Sequence, residues 1–142
     1  MTPPRRIAYC SPLNPQPSGI SDYSEDLLPF LAQYADVTVF VDGFSPANAD
    51  LRRHLAVRPL AHLPRLHAAQ PFDAILYHLG NSPVHAGIYE MAQLLPGVVV
   101  LHEWVLHHFK LWHAATRRGD MAAYEREMAQ RYGERGAAVA RH

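Results

Sequence analysis

The sequence predicts an α/β domain in which helices cover both faces of one parallel sheet. Short apolar runs suited to buried strands alternate with stretches whose apolar residues recur every three or four positions, as in amphipathic helices. Most of these runs end at a loop rich in Gly, Pro, Asn or Ser. Such alternation is typical of parallel strands joined by right-handed helical crossovers. With 142 residues, 49% of them hydrophobic and 18% charged, the chain has the size and composition of one ordered domain.

The first strand and the first helix are predicted at the start of the chain. Arg5–Cys10 ends in an apolar run too short for a helix, and Ser11–Gly19 follows with three prolines and a glycine, which force a loop. A helix is predicted over about Asp22–Tyr34, with Ser21 as its N-cap. Pro29 predicts a kink or a later helix start. The apolar residues on the face expected to dock on the sheet are Ile20, Tyr23, Leu27, Leu31 and Tyr34.

The remaining chain predicts four more strands with helical segments between them. Val98–Leu101 is a continuous apolar run, and we expect it to lie with Arg5–Cys10 in the middle of the sheet. Beyond Trp104 the pattern is helical, with a break at Arg117–Asp120. The later strands are predicted at Val37–Val41, His54–Arg58 (at an edge), Ala74–Leu79 and Val98–Leu101, and the helical segments at Ser45–Arg53, Leu60–Ala69 and Ser82–Leu95.

Charge and cysteine content argue against several classes of function. Thirteen basic and thirteen acidic residues give no net charge, so nothing favours nucleic acid or an anionic membrane as partner. The single Cys10 excludes an internal disulfide and fits a reducing compartment. No apolar run has the length of a transmembrane helix. We therefore expect a cytoplasmic protein that acts on small molecules.

Three polar loops follow predicted strands: Asn14–Gly19, Gly80–Ser82 and His102–Glu103. Ligands of open α/β sheets bind outside the carboxyl ends of the strands, so Gly19, Asn81 and His102 are expected to line one concavity there. At Ser18-Gly19 the loop opens onto a helix N-terminus, whose free N–H groups could face an anion. One glycine is a weaker signal than a dinucleotide-binding or P-loop motif, and Gly19 could serve only the turn.

In chain order, the segments Ser11–Tyr23, Tyr77–Ser82 and Val98–Glu103 with Leu106-His107-His108 resemble the N-terminal domain of a GT-B glycosyltransferase of family 4. The resemblance covers nearly the whole chain and implies a Rossmann-like three-layer α/β/α sandwich with a mainly parallel sheet. Enzymes of this family have two such domains around a cleft and transfer a sugar from an activated, usually nucleotide-sugar, donor with retention of anomeric configuration. The N-terminal domain mainly receives the acceptor, and the C-terminal domain holds most of the donor.

The same resemblance implies roles for individual residues. Ser18 and Gly19 would lie near the donor diphosphate and the transferred sugar, where N–H groups could stabilise developing charge. Family members often have two adjacent glycines at this point. His102 would face the acceptor and the transferred sugar and is the candidate catalytic residue. Asn81 would contact the acceptor, and Glu103 would position His102 or contact the substrate.

For the whole chain, the resemblance implies that residues 1–142 are an acceptor-side domain whose partner is a separate donor-binding domain of the same enzyme. The acceptor would be a sugar, lipid or glycan, and a nucleotide sugar would be a co-substrate without metal or other cofactor. We expect the isolated chain to be inactive. An apolar face that the second domain would otherwise cover could support a homodimer. A peripheral position of the protein at the inner face of the membrane also fits the resemblance.

Other interpretations of these residues stay open. His102 could be an ordinary turn histidine, Asn81 a helix cap and Glu103 a solvated carboxylate. His102 and His107 are five positions apart, whereas the zinc-protease motif needs four, so no metal site is predicted. For the whole chain, the alternative is a stand-alone Rossmann-like binding or oligomerisation module without catalysis. The sequence identifies neither the donor nor the acceptor.

Overall fold

A five-stranded, all-parallel sheet flanked by helices forms the centre of the protein, as seen in a computed structural model that describes residues 3–141. The strands are β1 (Arg5–Cys10), β2 (Ala35–Val41), β3 (Ala56–Pro59), β4 (Ala74–Leu79) and β5 (Val98–Leu101). Their order in the sheet is β3-β2-β1-β4-β5, and each neighbouring pair is parallel. The predicted fold class is confirmed, and the arrangement is consistent with a Rossmann-like three-layer fold.

Helices of varied length connect the strands and continue beyond the last one. They are α1 (Gly19–Leu31), α2 (Ala49–His54), α3 (Leu63–Ala69), α4 (Ala86–Leu94), α5 (His107–Trp112) and α6 (Met121–Ala140). Short 3-10 turns precede α3 and α4, at Leu60–His62 and Pro83–His85. None of the helices within residues 3–141 is both long and apolar enough to cross a bilayer.

The described chain forms two compact units. Residues 3–80 and 84–103 form an α/β unit that contains the whole sheet, and residues 81–83 and 104–141 form a helical unit. In the α/β unit, alternate residues of β1 enter opposite core layers because successive side chains of a strand point to opposite faces. Ala8 and Cys10 pack with Phe40 and Tyr77 in one layer, and Tyr9 packs in the other. Both layers are buried.

The first helix differs from its prediction at both ends. It begins at Gly19, because Ser18 rather than Ser21 is the N-cap and its side chain accepts a hydrogen bond from Ile20 N. It ends at Leu31. Pro29 therefore lies in the last turn. The predicted apolar face is wrong at its two tyrosines: Tyr34 lies beyond the helix and is 81% exposed, and Tyr23 is 46% exposed.

The position of β5 corrects a second prediction. β1 is the central strand as expected, but β5 forms an edge of the sheet and pairs only with β4 among the described strands. Val98, Val99 and Leu101 are consequently about half exposed. A run of apolar residues shows that a strand can be buried on both faces, but it does not show where the strand lies in the sheet.

The helical unit contains its own small core of Ala114, Tyr124 and Ala140. After α5 the chain continues as a π-helical segment over His113–Arg118 and ends at Gly119, whose φ of 64° is the left-handed conformation that glycine adopts readily. Asp120 then caps α6 by accepting a hydrogen bond from Ala123 N at 2.8 Å. The break predicted at Arg117–Asp120 is confirmed.

Candidate functional site

The N-terminus of α1 is open beside Gly19. Ser18 has extended backbone angles (φ −152°, ψ 136°), and its Oγ accepts a hydrogen bond from Ile20 N at 3.2 Å. Gly19 is exposed, and a Cβ added to it would meet no heavy atom within 4 Å. The space that a ligand would need for a close backbone approach therefore exists, but packing within the protein does not require glycine here.

A buried chain of hydroxyl groups fixes the loop between β1 and α1. Tyr9 Oη donates to Ser24 Oγ at 3.0 Å, Ser24 and Ser11 are 2.7 Å apart, and Ser11 Oγ donates to the Pro12 carbonyl at 2.9 Å. Because Ser11 uses its proton on that carbonyl, Ser24 is the donor to Ser11. Burial is the main cause that raises the pKa of Tyr9 to about 12. The hydrogen bonds between these hydroxyl groups tie α1 to the end of β1.

A carboxylate holds the other side of the same loop. Glu25 accepts hydrogen bonds from Asn14 N at 2.9 Å and from Asn48 Nδ2 at 3.1 Å. Asp22 accepts one from Asn14 Nδ2 at 2.8 Å. These hydrogen bonds, together with the prolines, fix the conformation of the loop that contains Ser18 and Gly19.

Three histidines lie together at the carboxyl ends of β4 and β5. His78, on β4, is 1% exposed, and its Nδ1 lies 2.9 Å from Nε2 of His102. His102 directly follows β5 and donates its backbone N–H to the Leu79 carbonyl at 3.0 Å. His85, also 1% exposed, has its Nδ1 3.0 Å from the His78 carbonyl. The His78 and His102 rings are therefore joined directly, and His85 is joined to them through the backbone of His78.

The hydrogen bonds determine where the protons of these histidines lie. A carbonyl can only accept, so His85 carries its proton on Nδ1. Neither His85 Nε2 nor His78 Nε2, both buried, has a hydrogen-bond partner among residues 3–141. Buried orphan N–H groups are rare, which favours a bare nitrogen at His78 Nε2 and a proton on its Nδ1. His78 then donates to His102 Nε2, and His102 carries its own proton on Nδ1.

The surroundings disfavour the charged form of all three imidazoles. Burial, followed by the nearby His102 and His85, lowers the pKa of His78 to about 4. Burial also lowers the pKa of His85 and of His102, against the opposing attraction of the Glu103 carboxylate. Glu103 is exposed, and its Oε1 would lie 3.6 Å from a Cβ on Gly80. Its charge therefore acts on the histidine group.

Tyr23 joins the first turns of α1 to the histidines. Its ring meets that of His102 edge to face, with the ring centroids 4.8 Å apart. The ring centroids of Tyr9 and His78 are 4.3 Å apart. Gly19 and His102 thus belong to the same carboxyl edge of the sheet in the α/β unit. Ser18, Gly19, His102 and Glu103 are all in this unit.

Asn81 belongs to the helical unit. Its Oδ1 accepts a hydrogen bond from Phe109 N at 2.8 Å and so caps the first turn of α5. Asn81 does not cap the helix that follows it in sequence, because the N-cap of α4 is His85. Contact of Asn81 with an acceptor stays a prediction.

Sequence reasoning did not identify His78 and His85 as site residues. The available signal was a single histidine inside the apolar strand Ala74–Leu79. Such a residue predicts a buried imidazole with a polar partner, because burial without one is unfavourable. It does not name that partner.

Residues 3–141 contain no group of three or more His, Cys, Asp or Glu side chains placed to hold a metal ion. Comparisons with protein-family models, curated proteins and solved structures found no match to the chain. The geometry of the carboxyl edge is therefore the basis for any function proposed for this chain.

Proposed function

We propose that the α/β unit is the acceptor-binding half of a retaining GT-B glycosyltransferase of family 4. The observation that carries this proposal is the His78–His102 hydrogen bond at the carboxyl edge of the sheet, beside the open N-terminus of α1. Open α/β sheets bind ligands at this edge. Sugar recognition needs fixed hydrogen-bonding groups together with an aromatic surface, and His102 and Tyr23 supply both in contact with each other.

The proton positions favour one role for His102. With Nε2 accepting from His78, His102 presents an Nδ1–H group, which donates a hydrogen bond and cannot remove a proton. In the proposal it binds an oxygen of the acceptor or of the transferred sugar and orients it for attack. Donor binding belongs to a second domain outside these residues, apart from the N–H groups at Ser18-Gly19, which would face the donor diphosphate.

Titration of the isotope-labelled 142-residue chain with methyl hexosides and disaccharides tests the acceptor site. We expect at least one saccharide to shift the amide signals of Gly19 and His102 at millimolar concentration. His102→Ala should abolish the effect, whereas the control His54→Ala, which alters an exposed histidine on α2, should retain it. The proposal is wrong if no saccharide shifts these signals, or if His102→Ala responds as the wild type does.

The uncovered side chains of β5 favour one other function, an association module without catalysis. An exposed edge strand offers unpaired backbone groups for strand addition, and Val98 and Val99 are 56% and 48% exposed. Sedimentation equilibrium distinguishes the two functions. The association module would be favoured if the chain assembles with rising concentration, if Val99→Lys abolishes this assembly, and if the wild-type chain binds no saccharide.

A further inference from the structure

The carboxyl ends of β2 and β3 border a separate cavity of about 650 Å³. It lies on the opposite side of β1 from the histidines of β4 and β5. Its walls include Val57 and Arg58 of β3, Arg52 of α2 and the loop that contains Phe44 and Ser45. Small-molecule sites commonly have volumes of about 300–1,000 Å³ and lie at this edge of α/β sheets.

The charge in this cavity is unbalanced. Arg52 and Arg58 line it, and no acidic residue does. Neither arginine forms an ion pair with a carboxylate within residues 3–141; Arg58 donates only to the Val57 carbonyl, at 2.9 Å. The acidic residues nearest in sequence, Asp42 and Asp50, are not among the lining residues. Asp50 pairs with Arg53 at 3.0 Å, and Asp42 lies against Gly87 of α4, where an added Cβ would overlap its carboxylate.

We infer that this cavity binds an organic phosphate monoester. Two uncompensated guanidinium groups match the charge of a phosphate monoester, about −1.5 to −2 at neutral pH, better than the single charge of a carboxylate. Guanidinium forks bind phosphate oxygens in pairs. Phe44 and the prolines Pro46 and Pro59 supply an apolar wall for the organic part of the ligand. The inference is independent of the role proposed for His102.

Titration of the isotope-labelled chain with phenyl phosphate, followed by amide and arginine Nε–H signals, tests this inference. We expect saturable binding that shifts Arg52, Arg58 and the loop at Phe44. Arg52→Gln and Arg58→Gln should each weaken binding at least about fivefold, because each removes a charge-assisted contact, and the double variant should abolish it. Arg65→Gln alters an exposed arginine of α3 outside the cavity and should leave binding unchanged.

Two further ligands separate phosphate recognition from general attraction. Benzoate, which has the same ring and a single charge, should bind more weakly than phenyl phosphate, and phenol should not bind. Acidification to about pH 5 should weaken phenyl phosphate binding, because the ester then carries one charge. The inference would be overturned if benzoate binds as tightly as phenyl phosphate, or if Arg65→Gln loses as much affinity as the cavity variants. It would also be overturned if the wild-type chain shows no saturable binding of phenyl phosphate. The signals of wild-type Arg52 and Arg58 provide a readout that does not depend on the folding of any variant.

Discussion

His78 occupies a position that accepts an imidazole but not an imidazolium. A protonated ring would need acceptors at both nitrogens, and His78 Nε2 has none among the described residues. Its folded-state pKa of about 4 lies below the ordinary value of 6.5, so the unfolded chain binds a proton more readily than the folded chain between these values. The stabilisation is therefore fully present above about pH 6.5 and is lost as the pH falls towards 4.

This difference predicts an acid-sensitive stability. Between about pH 7.5 and pH 5, we expect protonation linked to His78 to lower the free energy of unfolding by on the order of 2 kcal/mol. Urea denaturation at the two pH values measures the difference, and His78→Asn should reduce it while the control His54→Asn should not. Imidazole ¹⁵N shifts of the wild-type chain provide a direct check. Protonation of His78 near pH 6.5 in the folded protein would contradict the prediction.

Gly19 and Gly97 should differ sharply in their tolerance of a side chain. A Cβ on Gly97 would lie 2.7 Å from the backbone oxygen of Ile75, whereas a Cβ on Gly19 would meet nothing within 4 Å. We expect Gly97→Ala to lower the free energy of unfolding by about 1–3 kcal/mol and Gly19→Ala to leave it unchanged or raise it by up to about 1 kcal/mol. Thermal or urea denaturation of both variants checks this. A comparable loss in Gly19→Ala would show that packing, not ligand space, requires the glycine.

The sequence could predict candidate residues that follow strands, but not the contact between His78 and His102. His102 is predicted because it directly follows an apolar run, and Ser18 and Gly19 because they end the loop that leads from such a run into a helix. The histidine pair depends on the register of β4 and β5, in which His78 lies opposite Val100. His102 is two positions further on and therefore on the same face, within diagonal reach. Two histidines 24 positions apart carry no local signal of this register.

At the scale of the elements, strands were predicted more closely than helices or their order. β1, β4 and β5 have the predicted bounds, since each is an apolar run between clear breakers. The sequence does not specify the start of α1, because Ser18 and Ser21 are both good cap residues and only the hydrogen bond from Ile20 N distinguishes them. Apolar runs do not specify neighbours, which is why β5 was expected in the middle of the sheet.

The edge position of β5 predicts unequal costs for the same substitution. Val39 of β2 is fully buried, and Val98 of β5 is 56% exposed. We expect Val39→Ala to lower the free energy of unfolding by about 2 kcal/mol, because it removes buried methyl groups and leaves a cavity, and Val98→Ala to lower it by less than about 1 kcal/mol. Chemical denaturation of the two variants measures the difference. Equal losses would mean that something covers β5 in solution.

At the scale of the whole molecule, the described chain contains one parallel sheet and, at its carboxyl edge, two separate sets of polar groups. The histidines and the N-terminus of α1 form the first set, and Arg52 and Arg58 form the second. The fold class follows from the alternation of strand and helix patterns, which is a property of the entire sequence. The site chemistry follows from register and loop packing, which that alternation leaves undetermined.

The isolated 142-residue chain should not turn over a nucleotide sugar. Transfer requires donor and acceptor in near-attack geometry, and complete positioning contributes on the order of 7–11 kcal/mol to such reactions. In the proposed function the α/β unit holds the acceptor, while the groups that hold the base, ribose and leaving diphosphate belong to another domain. We expect calorimetry to detect no binding of uridine- or guanosine-diphosphate sugars at micromolar concentration, and product analysis to detect no hydrolysis or transfer above a His102→Ala control. Hydrolysis of a nucleotide sugar that depends on His102 would overturn the assignment of the donor site to a second domain, because this unit would then hold both substrates.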